Sequence, residues 1–390
     1  MEVEVEELHT PWGVKENVKL TFKGTGSLSF RSGLYPGLVD SHAHPHVIDG
    51  GLEEGRKWSN YIEWFEKRRL LVNESTLRQD LELCTALSKL TLMLSALEGT
   101  TLIALTGNYK ANIRAATELK NKPRVVTMPT IINKNGWDPL EIVAPIIKQL
   151  ENFDANDMLG VGIFCHSLRY TSEKYIRTCV QLCDTNNMLL GIHLSEGIPE
   201  LDVLRRILLK PPKTSIIGVH CIEDEDYETF NIRTVQCASS NLALYGRTQR
   251  ELGKVYAFGS DWPLLFGSMV NELKVLIDIH SEKKIDDIIL RATINGYKLF
   301  KVDFRGDYVF FDDKLEKALR AGKRPSYVFV KGYPLVREGK VNGYTYDEIL
   351  SMISQVREEA IKRHGIWGEG DGKRDGPSSG LRIPIHASNS

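Results

Sequence analysis

From Pro36 onward, short apolar runs alternate with longer amphipathic stretches. Eight such runs follow one another: Leu34–Asp40, Thr100–Thr106, Arg124–Thr130, Met158–Cys165, Met188–Leu194, Ser215–Cys221, Ile232–Cys237 and Val255–Ser260. Runs of this length and texture predict strands buried on both faces. Between them, Thr76–Leu97, Pro139–Leu150 and Glu173–Thr185 carry apolar residues at helical spacing. The repeating unit is strand, helix, strand, which predicts a parallel sheet with helices outside it. Eight units spread over residues 36–300 predict a (β/α)8 barrel.

The flanks have another texture. Residues 1–33 hold alternating stretches such as Val18-Lys19-Leu20-Thr21-Phe22-Lys23, and residues 302–345 repeat it in Asp307-Tyr308-Val309-Phe310-Phe311 and Tyr327-Val328-Phe329-Val330. Period-two alternation between turn glycines predicts short antiparallel strands, and the two flanks are expected to pair as one small composite β domain around a barrel over residues 34–301. A last helix, residues 346–365, is predicted from Thr345 and Glu348 in capping-box spacing, with Ile349, Ile353, Val356 and Ala360 along it and a stop at Gly365. The Gly- and Ser-rich end, residues 366–390, is expected to be a disordered tail.

Composition narrows the function. With 50 Lys plus Arg against 51 Asp plus Glu the formal charge is −1. No basic footprint for nucleic acid or anionic lipid is present. No uncharged apolar run approaches the ~18 residues of a membrane span, and Met1–Glu7 is acidic where a signal peptide would be basic. A cytoplasmic protein acting on a small molecule is expected, with neither nucleic acid nor membrane as partner; whether it forms a homo-oligomer stays open. The six Cys contain no C-x-x-C and sit partly in apolar runs, as reduced core thiols do.

Barrel enzymes place their sites at the C-terminal strand ends, and there the polar residues gather. The first run ends in Asp40-Ser41-His42-Ala43-His44, the fourth in His166, the fifth in His193, the sixth in His220 and the eighth in Asp261; five of the ten His fall at these ends. Two His two apart on an extended segment point the same way, as two ligands of one metal must. His193 is the natural third ligand, and Asp261 an oxygen ligand that can also accept a proton. One such residue alone would read as a hydrogen-bonded core His or a helix-capping Asp; five together do not. Glu196, three after His193, is placed to carry protons; the plainer alternative is a cap on the following helix. The fourth run, Met158–Cys165, contains no Lys and no acid, so one metal ion is expected rather than a bridged pair. Arg169, close behind His166, could grip a carboxylate in two bonds, and Trp58, Trp64, Asn108, Tyr109, Trp137 and Trp262 lie in or near segments that follow strand ends. P-loop, nucleophile-elbow, H-E-x-x-H and dinucleotide fingerprints are absent.

Pro36-Gly37-Leu38-Val39-Asp40-Ser41-His42-Ala43-His44 resembles the opening motif of the amidohydrolase superfamily. Gly99-Thr100-Thr101, His166 to Ser172, His193-Leu194-Ser195-Glu196, Val219-His220-Cys221, Ser240-Asn241-Leu242, Gly259-Ser260-Asp261 and Ala292 to Gly296 follow in the order of its aminohydrolase branch, which holds guanine deaminase, adenosylhomocysteine deaminase and triazine chlorohydrolases. The likeness covers nearly all of residues 34–345. It implies an α/β fold, a distorted (β/α)8 TIM barrel with a small β-sandwich domain formed by the flanks. It also implies His42, His44, His193 and Asp261 as ligands of one divalent ion, Zn²⁺ or Fe²⁺, with Glu196 and His220 catalytic and His166 near the substrate; Asp261 as a catalytic proton acceptor, and Arg169 and Trp262 as substrate contacts, are expected from their own chemistry and position. Trp262 departs from the branch, where deaminases usually carry Gly, and implies a bulky ring on that side of the pocket. The reading this favours is hydrolytic deamination of a purine-, pterin- or triazine-like heterocycle. Amidase, cyclic-ureide hydrolase and chlorohydrolase are the alternatives on the same site, and a metal-stabilised binding protein without turnover is the alternative of another class.

Overall fold

The computed structural model describes residues 1–150, 153–154, 156–280 and 285–366. The tail expected to be disordered lies, from residue 367, outside the described residues.

Three strands open the chain: β1 (Glu2–Thr10), β2 (Gly13–Thr21) and β3 (Ser27–Pro36). The barrel follows with β4 (Leu38–Ala43), β5 (Thr100–Gly107), β6 (Arg124–Ile131), β7 (Leu159–Cys165), β8 (Leu189–Leu194), β9 (Ile216–His220), β10 (Ile232–Gln236) and β11 (Ala257–Phe258). All eight pair in sequence order and in parallel. The two ends of this sheet meet: Ala43 bridges Asp261, the His44 N–H donates to the Asp261 carbonyl at 2.6 Å and the Asp261 N–H to the His42 carbonyl at 2.9 Å. Every expected strand is present, but two have moved bounds. Leu34–Pro36 pair with the small sheet instead, and β4 extends to Ala43, so His42 lies within the strand. The bend between them is at Gly37, where a Cβ would fall 2.1 Å from the Thr101 hydroxyl. The eighth strand shrinks to two residues because Leu252–Lys254 form a 3-10 turn just before it.

The expected helix over Thr76–Leu97 is two helices, Glu74–Leu77 and Leu81–Leu97. Asp80 accepts from the Leu83 N–H and restarts the backbone as an N-cap, which leaves Arg78 in the break. Glu173–Asn186 is helical, begun by Ser172 and stopped by Asn187 in the left-handed region. The last helix, Tyr346–His364, has both halves of the Thr345/Glu348 capping box.

β12 (Tyr308–Phe310), β13 (Tyr327–Val330) and β14 (Tyr333–Arg337) join the first three strands in one mixed sheet of order β14-β13-β12-β3-β1-β2. This sheet curls on itself: Phe22, just past β2, stacks on Phe329 at 4.5 Å, and the Lys23 N–H reaches the Gly332 carbonyl. A short helix, Leu315–Arg320, interrupts the strand texture of the second flank because Leu315, Ala318 and Leu319 form an apolar face buried in the core. The six Cys are buried and unpaired. Among the described residues no helix is long and apolar enough to cross a membrane.

The floor of the barrel is tied to the loop before β12 by ions. Arg124, at the start of β6, and Asp307 are 2% and 0% exposed in their side chains. Arg124 Nη2 donates to Asp307 Oδ1 at 2.8 Å, Nε lies 2.7 Å from Oδ2, and the Tyr297 hydroxyl donates to Oδ2 at 3.0 Å. Removing one partner of a buried pair strands the other charge. Asp307→Ala is therefore expected to lower the unfolding free energy by about 3–5 kcal/mol, measured by urea titration. A loss under about 1 kcal/mol, the worth of an exposed pair, would show that the pair does not hold the two layers together.

Candidate metal centre and active-site cavity

β4 alternates, so Asp40 and His42 share a face, and His44 continues it just beyond the strand. Asp40 is turned to Ser260, whose N–H and hydroxyl donate to it at 2.9 and 2.6 Å. That bond fixes the segment that carries Asp261. The Nε2 atoms of His42, His44 and His193 then lie 3.0, 3.2 and 3.1 Å from one another. Asp261 Oδ1 is 3.5 and 3.4 Å from the first two.

Hydrogen bonding alone does not explain this cluster. The Thr106 hydroxyl donates its one proton to the Ala43 carbonyl at 3.1 Å, so its 2.8 Å contact with His44 Nδ1 is accepted from an Nδ1–H. His44 therefore turns a bare Nε2 lone pair towards two other imidazole nitrogens. Burial lowers the pKa of all three rings, most for His44 and His193, which keeps them neutral. Each neutral ring nitrogen is either a donor or an acceptor, so the three mutual contacts cannot all be hydrogen bonds, and a cation at their centre suits all three rings. Four donors bonded at ~2.0–2.1 Å in a tetrahedron stand about 3.3–3.4 Å apart, which matches the spacing found. Burial pushes the Asp261 carboxyl up, but His42, His220 and His44 together hold it below the usual carboxylate range, so the fourth donor is an anion.

His220 closes β9 with φ at 73°, and Ser195 and Asp261 also take left-handed values of 53° and 57°. Such strain in non-glycine residues clusters where a side chain must be aimed. Asn241 gives its amide nitrogen to Thr248 and so presents its oxygen to His220 Nδ1 at 2.8 Å. His220 thus carries its proton on Nδ1 and turns Nε2 into the cavity, 3.7 Å from Glu196 Oε1. Glu196 is buried, and its Oε1 accepts from the Tyr245 hydroxyl at 2.5 Å. Burial raises its carboxyl to about 8; the Tyr245 bond opposes this and the Asp261 charge adds to it. Glu196 does not cap a helix: the next one, Leu201–Leu208, begins after Glu200.

His166, Glu196, His220, Asp261 and Trp262 all line one cavity with His44 and His193, about 470 Å³ of empty space including its open mouth. His166 is neutral, its pKa lowered to about 3 by burial and by Arg68, Arg78 and Lys134. Trp262 stands beside Trp64 at 5.6 Å and walls off one side. Arg169 is exposed and not among the lining residues, because it follows the turn that carries His166 inward. Trp58 and Asn108 are also elsewhere, the first under Arg56 and the second capping the helix that starts at Tyr109. The sequence reading missed Arg68, Glu74 and Arg78, which line the cavity with Tyr61 and Phe65. Their one signal was position, in the long connection after the first barrel strand.

No protein-family model matches the chain, and no curated protein matches it. Solved structures do. The zinc complex of atrazine chlorohydrolase from Arthrobacter aurescens TC1 superposes with a TM-score of 0.72 at 13% identity, covering 91% of this chain and 99% of that one. An adenosine deaminase from Xanthomonas campestris with bound zinc gives 0.67 at 14%, covering 93% and 98%. An amidohydrolase from a Sargasso Sea environmental sample gives 0.65 at 13%, covering 93% and 99%. Over nearly its whole length, the chain has the fold of these structures.

Proposed function

We propose that the chain is a metal-dependent hydrolase of the amidohydrolase superfamily, in its aminohydrolase branch, and that it removes an amino group from a small heterocycle. The observation that carries this is the pairing of a four-donor centre with a buried acid, Glu196, beside it in the same cavity. A binding protein needs the first and has no use for the second.

A divalent ion held by His42, His44, His193 and Asp261, zinc in this reading, supplies a Lewis acid that makes water a competent nucleophile near neutral pH. Asp261 turns one oxygen to His42 and His44 and keeps the other to take the proton of the attacking water; a carboxylate held low gives that proton up again readily. His220, with its proton fixed on Nδ1 by Asn241, offers Nε2 to the attacking oxygen as an acceptor. Glu196, protonated because it is buried, would donate to the ring nitrogen as the tetrahedral carbon forms; the proton that Asp261 took from the water would go to the departing amine, and the ionised Glu196 would take back the hydroxyl proton as the carbonyl forms and ammonia leaves. Trp64, Phe65 and Trp262 supply apolar walls that suit a flat ring and thin the water around it. A donated proton at the ring nitrogen is what an aminated heterocycle requires.

Ammonia release from aminated purines, pterins, pyrimidines and triazines, with the metal-stripped protein as control, tests this. Ammonia that appears only with metal is expected. Release of chloride from halogenated rings, or of acid and amine from amides, with no ammonia from any ring, would overturn the deaminase reading and leave the hydrolase class.

A further inference from the structure

Arg78 carries a charge that the protein does not answer. Its side chain lines the cavity together with His44, His193 and Asp261, yet the residue is only 6% exposed. Nη1 is buried without a partner, and among the described residues no hydrogen bond or ion pair reaches the guanidinium. What holds it is stacking: the guanidinium lies 3.5 Å from the centre of the Trp137 ring, whose own Nε1 is also buried and unpaired. On its other side it sits beside His46 over Gly107, where a Cβ would fall 2.7 Å from Nη1 and 2.8 Å from His46 Nδ1. His46 is kept neutral by burial and supplies no negative charge.

The neighbouring acids are spoken for. Glu74 is ion-paired with Arg68, and Glu74 and Asp138 act on Arg78 only through space. Around the cavity, Arg68 is balanced by Glu74, the cation expected at the centre by Asp261 in part, and Glu196 is neutral. Arg78 is left with no carboxylate of its own in hydrogen-bonding or ion-pairing reach. Retaining such a group in a buried wall is costly unless a ligand brings the acceptor.

We infer that Arg78 and Trp137 form the seat for a carboxylate on the substrate, so that the heterocycle acted on carries that carboxylate away from the metal centre. A planar carboxylate fits a guanidinium whose plane is fixed by an indole. The seat rests on the reading of this cavity as a substrate site and adds the class of substrate to it.

Cytosine-5-carboxylate and cytosine-5-carboxamide are a matched pair that differ in this group. Titrated calorimetrically into the zinc-loaded wild-type protein, the carboxylate is expected to bind about tenfold or more tightly than the carboxamide, the worth of one charge-assisted hydrogen bond. In Arg78→Met the ratio should fall to about one with zinc content unchanged, and Arg78→Lys should restore part of it. Equal binding of the two probes by the wild type, or no carboxylate binding at millimolar concentration, overturns the seat without recourse to any variant. A preference that survives Arg78→Met also overturns it, since the carboxylate would then sit on the metal. Ammonia measured in the same samples separates the two claims. Carboxylate preference without ammonia leaves the seat standing and counts against deamination, whereas equal binding with ammonia from both probes does the reverse.

Discussion

Glu196→Gln is expected to leave the metal content unchanged and to lower turnover by about 10²-fold or more, the usual worth of a positioned acid or base. The replacement keeps the size of the side chain and its bond to the Tyr245 hydroxyl, but an amide cannot pass a proton. The lost interaction belongs to the transition state, so KM should change little while kcat falls. The pH profile gives an independent readout. In the proposed mechanism Glu196 works in its protonated form, and burial raises its carboxyl to about 8. Activity that depends on it is present at lower pH and declines as the carboxyl ionises; a cation bound nearby favours the carboxylate and moves that decline to about 8 or below. The limb should be present in the wild type and missing from the Gln variant. Loss of metal in the variant would make Glu196 a ligand, and unchanged turnover would remove it from the proton path.

The second large effect belongs to the donors. Replacing both His42 and His44 with Ala removes two of the four proposed ligands, whose Nε2 atoms lie 3.0 Å apart. Such a centre cannot hold an ion in stoichiometric amount, and turnover should fall to background. Folding should persist, because the backbone bonds that close the barrel at this point, Asp261 to His42 and His44 to Asp261, use main-chain atoms. Elemental analysis and circular dichroism on one sample check both halves. Stoichiometric metal in the double variant would refute the ligand assignment, and an unfolded chain would show that the rings themselves close the barrel.

Much of this site is legible in the chain because barrel strands put their functional residues at one kind of place. His42, His44, His166, His193, His220 and Asp261 could be found by asking what ends each apolar run; all but His42 line one cavity, and His42 joins His44, His193 and Asp261 in the four-donor cluster. The expectation for Arg169 shows where that rule stops. A residue four past a strand end has already turned, and its side chain is exposed. Arg68, Glu74 and Arg78 fail from the other direction. Arg68 and Glu74 come from the long connection before the expected helix, where no periodicity marks them, and Arg78 falls inside that helix; only the Asp80 cap, which breaks it, leaves Arg78 at the cavity. Strand bounds blurred for a related reason. Leu34–Val39 carries no charge to mark a break, but the bend at Gly37 assigns its first half to one sheet and its second to another. Contact between the flanks, by contrast, was foreshadowed by their shared alternation, since each exposes an apolar face that the other covers.

Diffraction from crystals of the zinc-loaded protein, measured on both sides of the zinc absorption edge, tests the metal centre most directly. The account predicts one anomalous peak per chain, at bonding distance from Nε2 of His42, His44 and His193 and from an Asp261 carboxylate oxygen. Two adjacent peaks, or a peak that leaves any of these four donors unbonded, would contradict it.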